Sequence, residues 1–369
     1  MKVALVHDYI KEYGGAERVL EALCEIFPNA PIYTAFYNQR GTAYGHFKHK
    51  KIIPSWAQSI PFFVSRLHSP LRFLAPFIWE SFDLSGYDVV ISSASWYITK
   101  GFKKPFGPNH FIEICYCHTP PRWLYGYTIS VNFQKYPLVK AYAVIVGHFM
   151  RLYDFKAAQK VDYFIANSKE VAGRIAKFYR RDSAVIYPPV ELPKTIDIKK
   201  QDYYLIVSRI VGAKGLDLAV EGALKAGFKL KIAGSPAGYY FDHDKLIEKA
   251  QNRVEFLGQV TDEELAKLYK GAKAFLALSK DEDFGITPVE AMSVGTPVIA
   301  FSGGGYRETV VSGKTGLFFD EYTVEGLIKA IKQFEKMNIN PGNCIKQAEK
   351  FSKEKFKKEI LDFVKSKIK

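Results

Sequence analysis

Two glutamates, Glu282 and Glu290, stand with seven residues between them in the segment EDFGITPVEAM. Paired carboxylates can do acid–base chemistry, as in a glycosidase, where they flank a scissile bond roughly 5–10 Å apart. They can also accept hydrogen bonds from the hydroxyls of a bound ligand. The residues between them separate the two uses. Pro288 has no backbone N–H and fits a helix only in its first turn. A helix therefore begins near Phe284–Ile286, and Gly285 lets that backbone come close to a ligand. The amides of Phe284, Gly285 and Ile286 then lie at a positive helix end, which is an anion site. Glu290 falls about a turn inside the helix and Glu282 in the loop before it. The two carboxylates bracket a phosphate-binding turn. They are placed to hold hydroxyls at the two ends of one ligand, a sugar and a ribose. Two solvated acids at a helix start are the plainer alternative.

Other residues point to the same chemistry. Arg209 and Lys214 stand five residues apart in SRIVGAKG. They straddle the turn after a predicted strand, at the carboxyl edge where doubly wound sheets bind ligands. A guanidinium fork and an ammonium point charge suit a diphosphate; two solvated loop cations are the alternative. Gly14 and Gly15 follow the predicted first strand KVALVH and precede a helix carrying Val19, Leu20, Leu23, Ile26 and Phe27 at helical spacing. Such a turn admits a phosphate at a helix N-terminus, or is simply tight.

The elements that must position these groups alternate between strand and helix. YDVVISSAS (87–95), HFIEICYCH (110–118) and VDYFIANS (161–168) read as buried strands, the last followed by a helix from Lys169 to about Tyr179. A Pro-rich stretch, AVIYPPVELP, marks a boundary near residue 190. A second alternation follows, with strands YYLIVSR (203–209), KLKIAGS (229–235), VEFLGQV (254–260), AKAFLALS (272–279) and PVIAFS (297–302). Thr261 and Glu264 match a capping box. We therefore expect two α/β domains side by side, 1–190 and 191–350, each built on a doubly wound parallel sheet. Residues 351–369 form an amphipathic basic helix with Phe356, Ile360, Phe363 and Val364 on one face, placed to pack back on the first domain. Residues 47–80 mix aromatic and basic residues with four prolines and are expected to be short helices and loops on the rim of that domain.

Composition narrows the partners. The net charge is +14, and residues 1–190 hold 23 Lys and Arg against 13 Asp and Glu, compared with 29 against 25 in the rest. The surplus implies an anionic partner for the first half. No aromatic platform of the kind that binds RNA accompanies it, so nucleic acid is not expected. Cys24, Cys115, Cys117 and Cys344 show no metal or disulfide spacing and read as small core residues, which suits a reducing cytoplasm. No Asp-x-Asp or His/Cys cluster supplies a metal. MKVALVHDYI reaches Asp8 too soon for a leader. The longest apolar run, AYAVIVGHFM (141–150), is too short to span a bilayer. The segment 135–160 that contains it reads as a buried connecting helix or as an anionic-surface contact. The membrane contact, on the inner face of the plasma membrane, is expected at 47–80, where Trp56, Phe62, Phe63, Phe73, Phe77 and Trp79 supply interfacial aromatics and Lys48, Lys50, Lys51, Arg66 and Arg72 supply charge.

The motifs resemble family 4 glycosyltransferases, the retaining GT-B enzymes. EDFGITPVE is similar to their E-x7-E motif, GGAERVL to their first glycine loop and CHTPPRWLY to their N-domain histidine segment. IANS resembles the strand before their hinge, VSRIVGAKG their Arg…Lys clamp and SGKTGLFF their last strand. VHDYI…GGAERVL and HTPPRWLY look closest to the branch with bacterial mannosyltransferases that build O-antigen and other surface polysaccharides from GDP-mannose. The resemblance implies that Glu282 holds donor-sugar hydroxyls and steadies charge at the anomeric centre, and that Glu290 holds the ribose. Arg209, Lys214 and the Phe284–Ile286 amides would stabilise the leaving diphosphate. Leu257–Val260 would lie near the nucleobase, with Gly14, Gly15 and Gly234 also on the donor. His118 would face the donor sugar, and Asp8, Arg122 and Trp123 the acceptor. Asp283 departs from the glycine common at that position. The resemblance implies no metal or cofactor. It implies the GT-B arrangement, two Rossmann-like doubly wound domains facing a central cleft, with a nucleotide-sugar co-substrate and a glycan or polyprenyl-diphosphate-linked acceptor. A UDP-sugar donor, a GT-B sugar-nucleotide epimerase and a non-catalytic membrane scaffold are the competing readings.

Overall fold

The short apolar runs fold into two separate parallel sheets. The computed structural model describes residues 1–105, 110–128, 136–192, 197–236 and 243–368. By its internal contacts the chain divides into two units. The first takes Met1–Tyr127, 136–189 and 353–368; the second takes Thr128 and Val190–Ser352.

The first sheet comprises β1 (Val3–His7), β2 (Ile32–Thr34), β3 (Ile52–Pro54), β4 (Val89–Ala94), β5 (Ile112–Cys117), β6 (Tyr163–Ala166) and β7 (Ser183–Val185). Their order is β3-β2-β1-β4-β5-β6-β7. β1, β4 and β5 are buried on both faces, which is why they read as unbroken apolar runs. The helix Gly15–Ile26 lays Val19, Leu20 and Leu23 on this sheet. The helix Lys353–Lys367 joins the same cluster through Phe356, Ile360 and Val364, and its Lys353 ion-pairs with Glu25 at 2.6 Å. All four cysteines are buried and free.

The 47–80 segment holds the expected short helices, Trp56–Ser59, Phe63–Leu67, Arg72–Leu74 and Ala75–Glu80, and also β3, which with β2 was not expected, so part of that rim is the edge of the sheet. Within the same segment Phe63 and Trp79 are core residues, and Trp79 Nε1 donates to the Tyr97 carbonyl. The Lys50 ammonium is held by the carbonyls of Cys24 and Pro28, and Arg72 packs over Trp96 and Trp123. Trp56, Phe62, Phe73 and Phe77 remain exposed.

The second sheet comprises β8 (Tyr204–Val207), β9 (Leu230–Ala233), β10 (Val254–Gly258), β11 (Ala274–Ala277), β12 (Val298–Phe301) and β13 (Gly316–Phe319). Its order, β10-β9-β8-β11-β12-β13, reverses direction between β8 and β11. That reversal is the topological switch point of a doubly wound sheet, where loops from adjacent strands diverge and leave a crevice. The capping box Thr261–Glu264 opens the helix Asp262–Gly271.

Candidate functional site

The loops that leave β8 and β11, on either side of the switch point, carry the predicted clamp and the first glutamate. After β8 the chain makes a single 3-10 turn, Gly212–Lys214. Gly215 follows at φ +70°, and a Cβ there would lie 2.7 Å from the Leu278 carbonyl and the Tyr322 hydroxyl. That close approach presses the Lys214 turn onto the end of β11. Lys214 Nζ lies 2.7 Å from Glu282 Oε2, and the Tyr306 hydroxyl donates to the same oxygen at 3.2 Å. An ammonium has three N–H groups, so this ion pair leaves donors for an anionic ligand. Burial, with Glu282 nearby, pushes the Tyr306 hydroxyl well above its ordinary pKa, which keeps it a neutral donor. Arg209 is exposed directly after β8, where the Ser208 and Ile210 amides are tied to the carbonyls of Ala233 and Ser235.

The helix Ile286–Ser293 starts where Pro288 requires, with Gly285 as its N-cap at φ +91°. A Cβ on Gly285 would come within 2.8 Å of the Tyr306 ring, so only glycine fits both the angle and the space. Phe284 is buried against Phe351, which anchors the turn. Glu290 is buried inside the helix, and Tyr269 donates to its Oε2 at 2.7 Å. Leu257 is half-buried on β10 and Val260 follows it. Gly234 has φ +136°, and a Cβ there would sit 1.9 Å from the Ser208 carbonyl. Its immediate role is the close passage of β9 beside the Arg209 loop.

The first unit has its own cluster at the carboxyl ends of β1, β4 and β5. His118 follows β5, and its Nε2 lies 2.8 Å from Ser93 Oγ. Asp8, expected on the acceptor side, is hydrogen-bonded within the first unit. Its Oδ2 accepts from the amides of Ser95, Trp96 and Tyr97 and from the Ser95 hydroxyl, and its Oδ1 accepts from Thr99. Asp8 therefore holds the 95–99 loop, in which Ile98 adopts φ +57°, a strained angle for a β-branched residue. Trp123 Nε1 donates to the Trp96 carbonyl, and Arg122 is half-buried beside it in the chain. The Gly14 amide donates to Glu17 Oε2 at 3.0 Å, so the first glycine turn is capped from within its own helix.

Residues 191–351 match the family described as Glycosyl transferases group 1. The second unit carries a Glycosyl transferases group 1 domain. D-inositol 3-phosphate glycosyltransferase of Mycobacteroides abscessus is 28% identical over 198 residues, which is 48% of this chain and 45% of that protein. The chain spans about half the length of the curated relatives it matches. Among solved structures, the lipopolysaccharide outer core galactosyltransferase WaaB in its apo form matches with TM-score 0.67 at 18% identity, over 100% of both chains. Anabaena HepE in complex with UDP and glucose matches with TM-score 0.69 at 18% identity, over 99% of this chain and 100% of that one. At such identity the likeness is one of fold, two Rossmann-like domains of the GT-B class.

The glycosyl transferases group 1 domain contains positioning residues that the motifs did not single out. Gly303, Gly304 and Gly305 follow β12 and pack backbone to backbone against 280–284; a Cβ on Gly304 would lie 2.2 Å from the Glu282 carbonyl. The Gly305 amide donates to that carbonyl at 2.9 Å. Tyr306 comes next and reaches Glu282. The signal was the run SGGGY after a predicted strand, since consecutive glycines there imply close backbone approach. Among the described residues no group of three or more His, Cys, Asp or Glu is arranged to hold a metal ion.

Proposed function

We propose that the protein is a retaining, metal-independent hexosyltransferase. Its second domain binds a nucleotide-diphosphate sugar, and its first domain takes a glycan or lipid-linked glycan acceptor. The observation that carries this reading is the Lys214–Glu282–Tyr306 constellation beside the helix start at Gly285, inside a glycosyl transferases group 1 domain. Arg209, Lys214 and the Phe284–Ile286 amides stabilise the departing diphosphate, where negative charge develops. Glu282 orients the sugar hydroxyls and Glu290 the ribose. GDP-mannose is the donor suggested by the resemblance in the first half of the chain. A UDP-hexose is the second reading, favoured by the UDP and glucose held by HepE. Retention means that an α-configured donor yields an α-linked product; an NMR assignment of a β-linked product contradicts it.

We place the protein at the inner face of the plasma membrane, on an anionic leaflet. The support is the helix Pro137–Lys160, whose residue 135 flank lies outside the described residues. Leu138, Val144, Ile145, Phe149 and Leu152 are 51–86% exposed on it. Lys140, Arg151, Lys156 and Lys160 are exposed along the same helix, and its one acid, Asp154, is buried against Lys100. Large apolar side chains with a basic fringe and no exposed carboxylate suit an anionic lipid surface, at about 1 kcal/mol per basic residue. Among the described residues no helix is long and apolar enough to cross a membrane. The expected result is flotation with vesicles containing anionic lipid, release as salt rises, and loss of flotation when Lys140, Lys156 and Lys160 become Glu. Wild type that ignores anionic vesicles at low salt overturns the membrane reading and favours a soluble acceptor.

A further inference from the structure

Beyond the carboxyl ends of β1 and β4, the first unit carries an aromatic wall with a cation laid on it. Asp8 takes the amides of Ser95, Trp96 and Tyr97 and so fixes the loop after β4. That loop presents Trp96, whose carbonyl accepts the Trp123 indole N–H at 3.1 Å. Arg72, in the 3-10 turn Arg72–Leu74, lies over both rings. Its guanidinium carbon is 4.4 Å from the Trp123 ring centre and 5.3 Å from that of Trp96. Tyr9 and His68 stand beside Trp96, at 6.2 and 6.3 Å between ring centres. All of these residues belong to the first unit.

The charge on this wall is unbalanced. Among the described residues the Arg72 guanidinium makes no hydrogen bond and no ion pair. The groups that face it are the phenols of Tyr142 and Tyr97, not a carboxylate, and burial holds its pKa below the ordinary value. A guanidinium taken partly out of water without an acid is costly to keep. Stacking uses its flat face and leaves its rim of five N–H groups for an acceptor. No nitrogen of that rim is sealed from solvent, so a ligand can reach it. Lys11, half-buried, likewise has no hydrogen-bond or ion-pair partner for its ammonium among the described residues. Burial, then Lys11 and Arg72, push the His68 ring down to about 4, which leaves it neutral between two positive charges. Two cations without an acid suit a doubly charged oxyanion, and a guanidinium fork matches a pair of phosphate oxygens.

We propose that Arg72, with Lys11, forms a phosphate site within the first unit, and that the phosphate it takes is carried by the acceptor sugar. Trp96 and Trp123 are positioning residues that turn the guanidinium rim outward. The chemistry is the same whether the phosphate belongs to a soluble sugar phosphate or to a prenyl carrier. That the ligand is the acceptor rests on the glycosyl-transfer reading; the phosphate site does not.

The four tryptophans, Trp56, Trp79, Trp96 and Trp123, all lie in the first unit, so their indole N–H signals in a 1H–15N spectrum of the full chain report from that unit. Trp96→Phe and Trp123→Phe assign the two signals that matter. Inorganic phosphate and glucose 1-phosphate are expected to shift both signals saturably, and glucose at the same concentration to leave them in place. Arg72→Lys, which keeps the charge and loses the fork, should weaken this binding about tenfold, and Arg72→Met should weaken it further. Lys11→Met should weaken it as well. The Trp79 indole, bonded to the Tyr97 carbonyl, should keep its signal in each variant and so reports an intact fold. A short-chain prenyl-diphosphate-linked glucose that binds tighter than glucose 1-phosphate assigns the phosphate to a lipid carrier; equal or weaker binding assigns it to a soluble sugar phosphate. Equal response to glucose and to its phosphate overturns the site, as does unchanged binding in Arg72→Met with the Trp79 signal in place. Glucuronate binding tighter than glucose 1-phosphate overturns the phosphate assignment. A protein that binds a nucleotide sugar yet shows no response to either phosphate overturns the site and leaves glycosyl transfer standing. Phosphate binding at Arg72 in a protein that binds no nucleotide sugar keeps the site and overturns the acceptor assignment together with the glycosyl-transfer reading.

Discussion

Arg209→Ala is expected to lower sugar transfer by about 10²–10³-fold, the usual cost of removing one donor from developing negative charge, and to weaken GDP and UDP binding sharply. Arg209 is exposed directly after β8, where the amides of Ser208 and Ile210 are bonded to the carbonyls of Ala233 and Ser235 and hold the backbone. The fold should therefore survive, since exposed substitutions usually stay within about 0.5 kcal/mol. Calorimetry separates the two effects. Unchanged affinity for both nucleotides removes Arg209 from the diphosphate site.

The second large effect is expected at a glycine packed against the Glu282 backbone. Gly304 has φ +54°, and a Cβ there would lie 2.2 Å from the carbonyl and 2.9 Å from the amide nitrogen of Glu282. These are backbone atoms and cannot swing aside. Gly304→Ala must therefore displace the Glu282 segment and disturb the Gly305 amide bond to it. A displacement of about 1 Å at a reacting centre can cost on the order of 10²-fold in rate, and that is the loss expected in kcat/KM. Gly313→Ala is the matched control. Gly313 also has positive φ, +76°, but a Cβ there meets nothing within 4 Å. It should lose some stability through backbone strain and keep its activity. Equal activity losses in the two variants would mean that backbone angle, and not contact with Glu282, is what matters.

The parts of this fold that were legible in the sequence are those whose signals are local. The helix Lys169–Tyr179 was legible because Ser168 caps it and its apolar residues repeat at helical spacing. The helix at Ile286 was legible because Gly285 and Pro288 mark its start from both sides. β2 and β3 escaped because three residues carry too little alternation to stand out, and in β3 an edge position tolerates Pro54. What the sequence does not show is long-range. Nothing near Asp8 in the chain tells that the amides it accepts from lie 87–89 residues on. His7 and Ser93 are separated by 86 residues, and only the parallel register of β1 and β4 brings them together. Tyr306 reaches Glu282 across 24 residues, through a glycine run whose purpose shows only once both loops are in place. The rim aromatics failed for a related reason. Composition gave Phe62 and Phe63 the same standing, whereas one is 71% exposed and the other fully buried.

The claim on which everything else depends is that the second domain binds a nucleotide through its diphosphate. Titration of the full chain with GDP-mannose, UDP-glucose, UDP-N-acetylglucosamine and the corresponding nucleoside di- and monophosphates tests it directly. The account predicts saturable binding of at least one nucleotide sugar, retained by its diphosphate and largely lost by its monophosphate, because Arg209, Lys214 and the turn at Gly285 act on the diphosphate. Slow hydrolysis or transfer of the bound donor should accompany it. Conversion of the bound sugar into its epimer would make the protein an epimerase. Failure of every nucleotide to bind, or equal binding of mono- and diphosphates, would contradict the account.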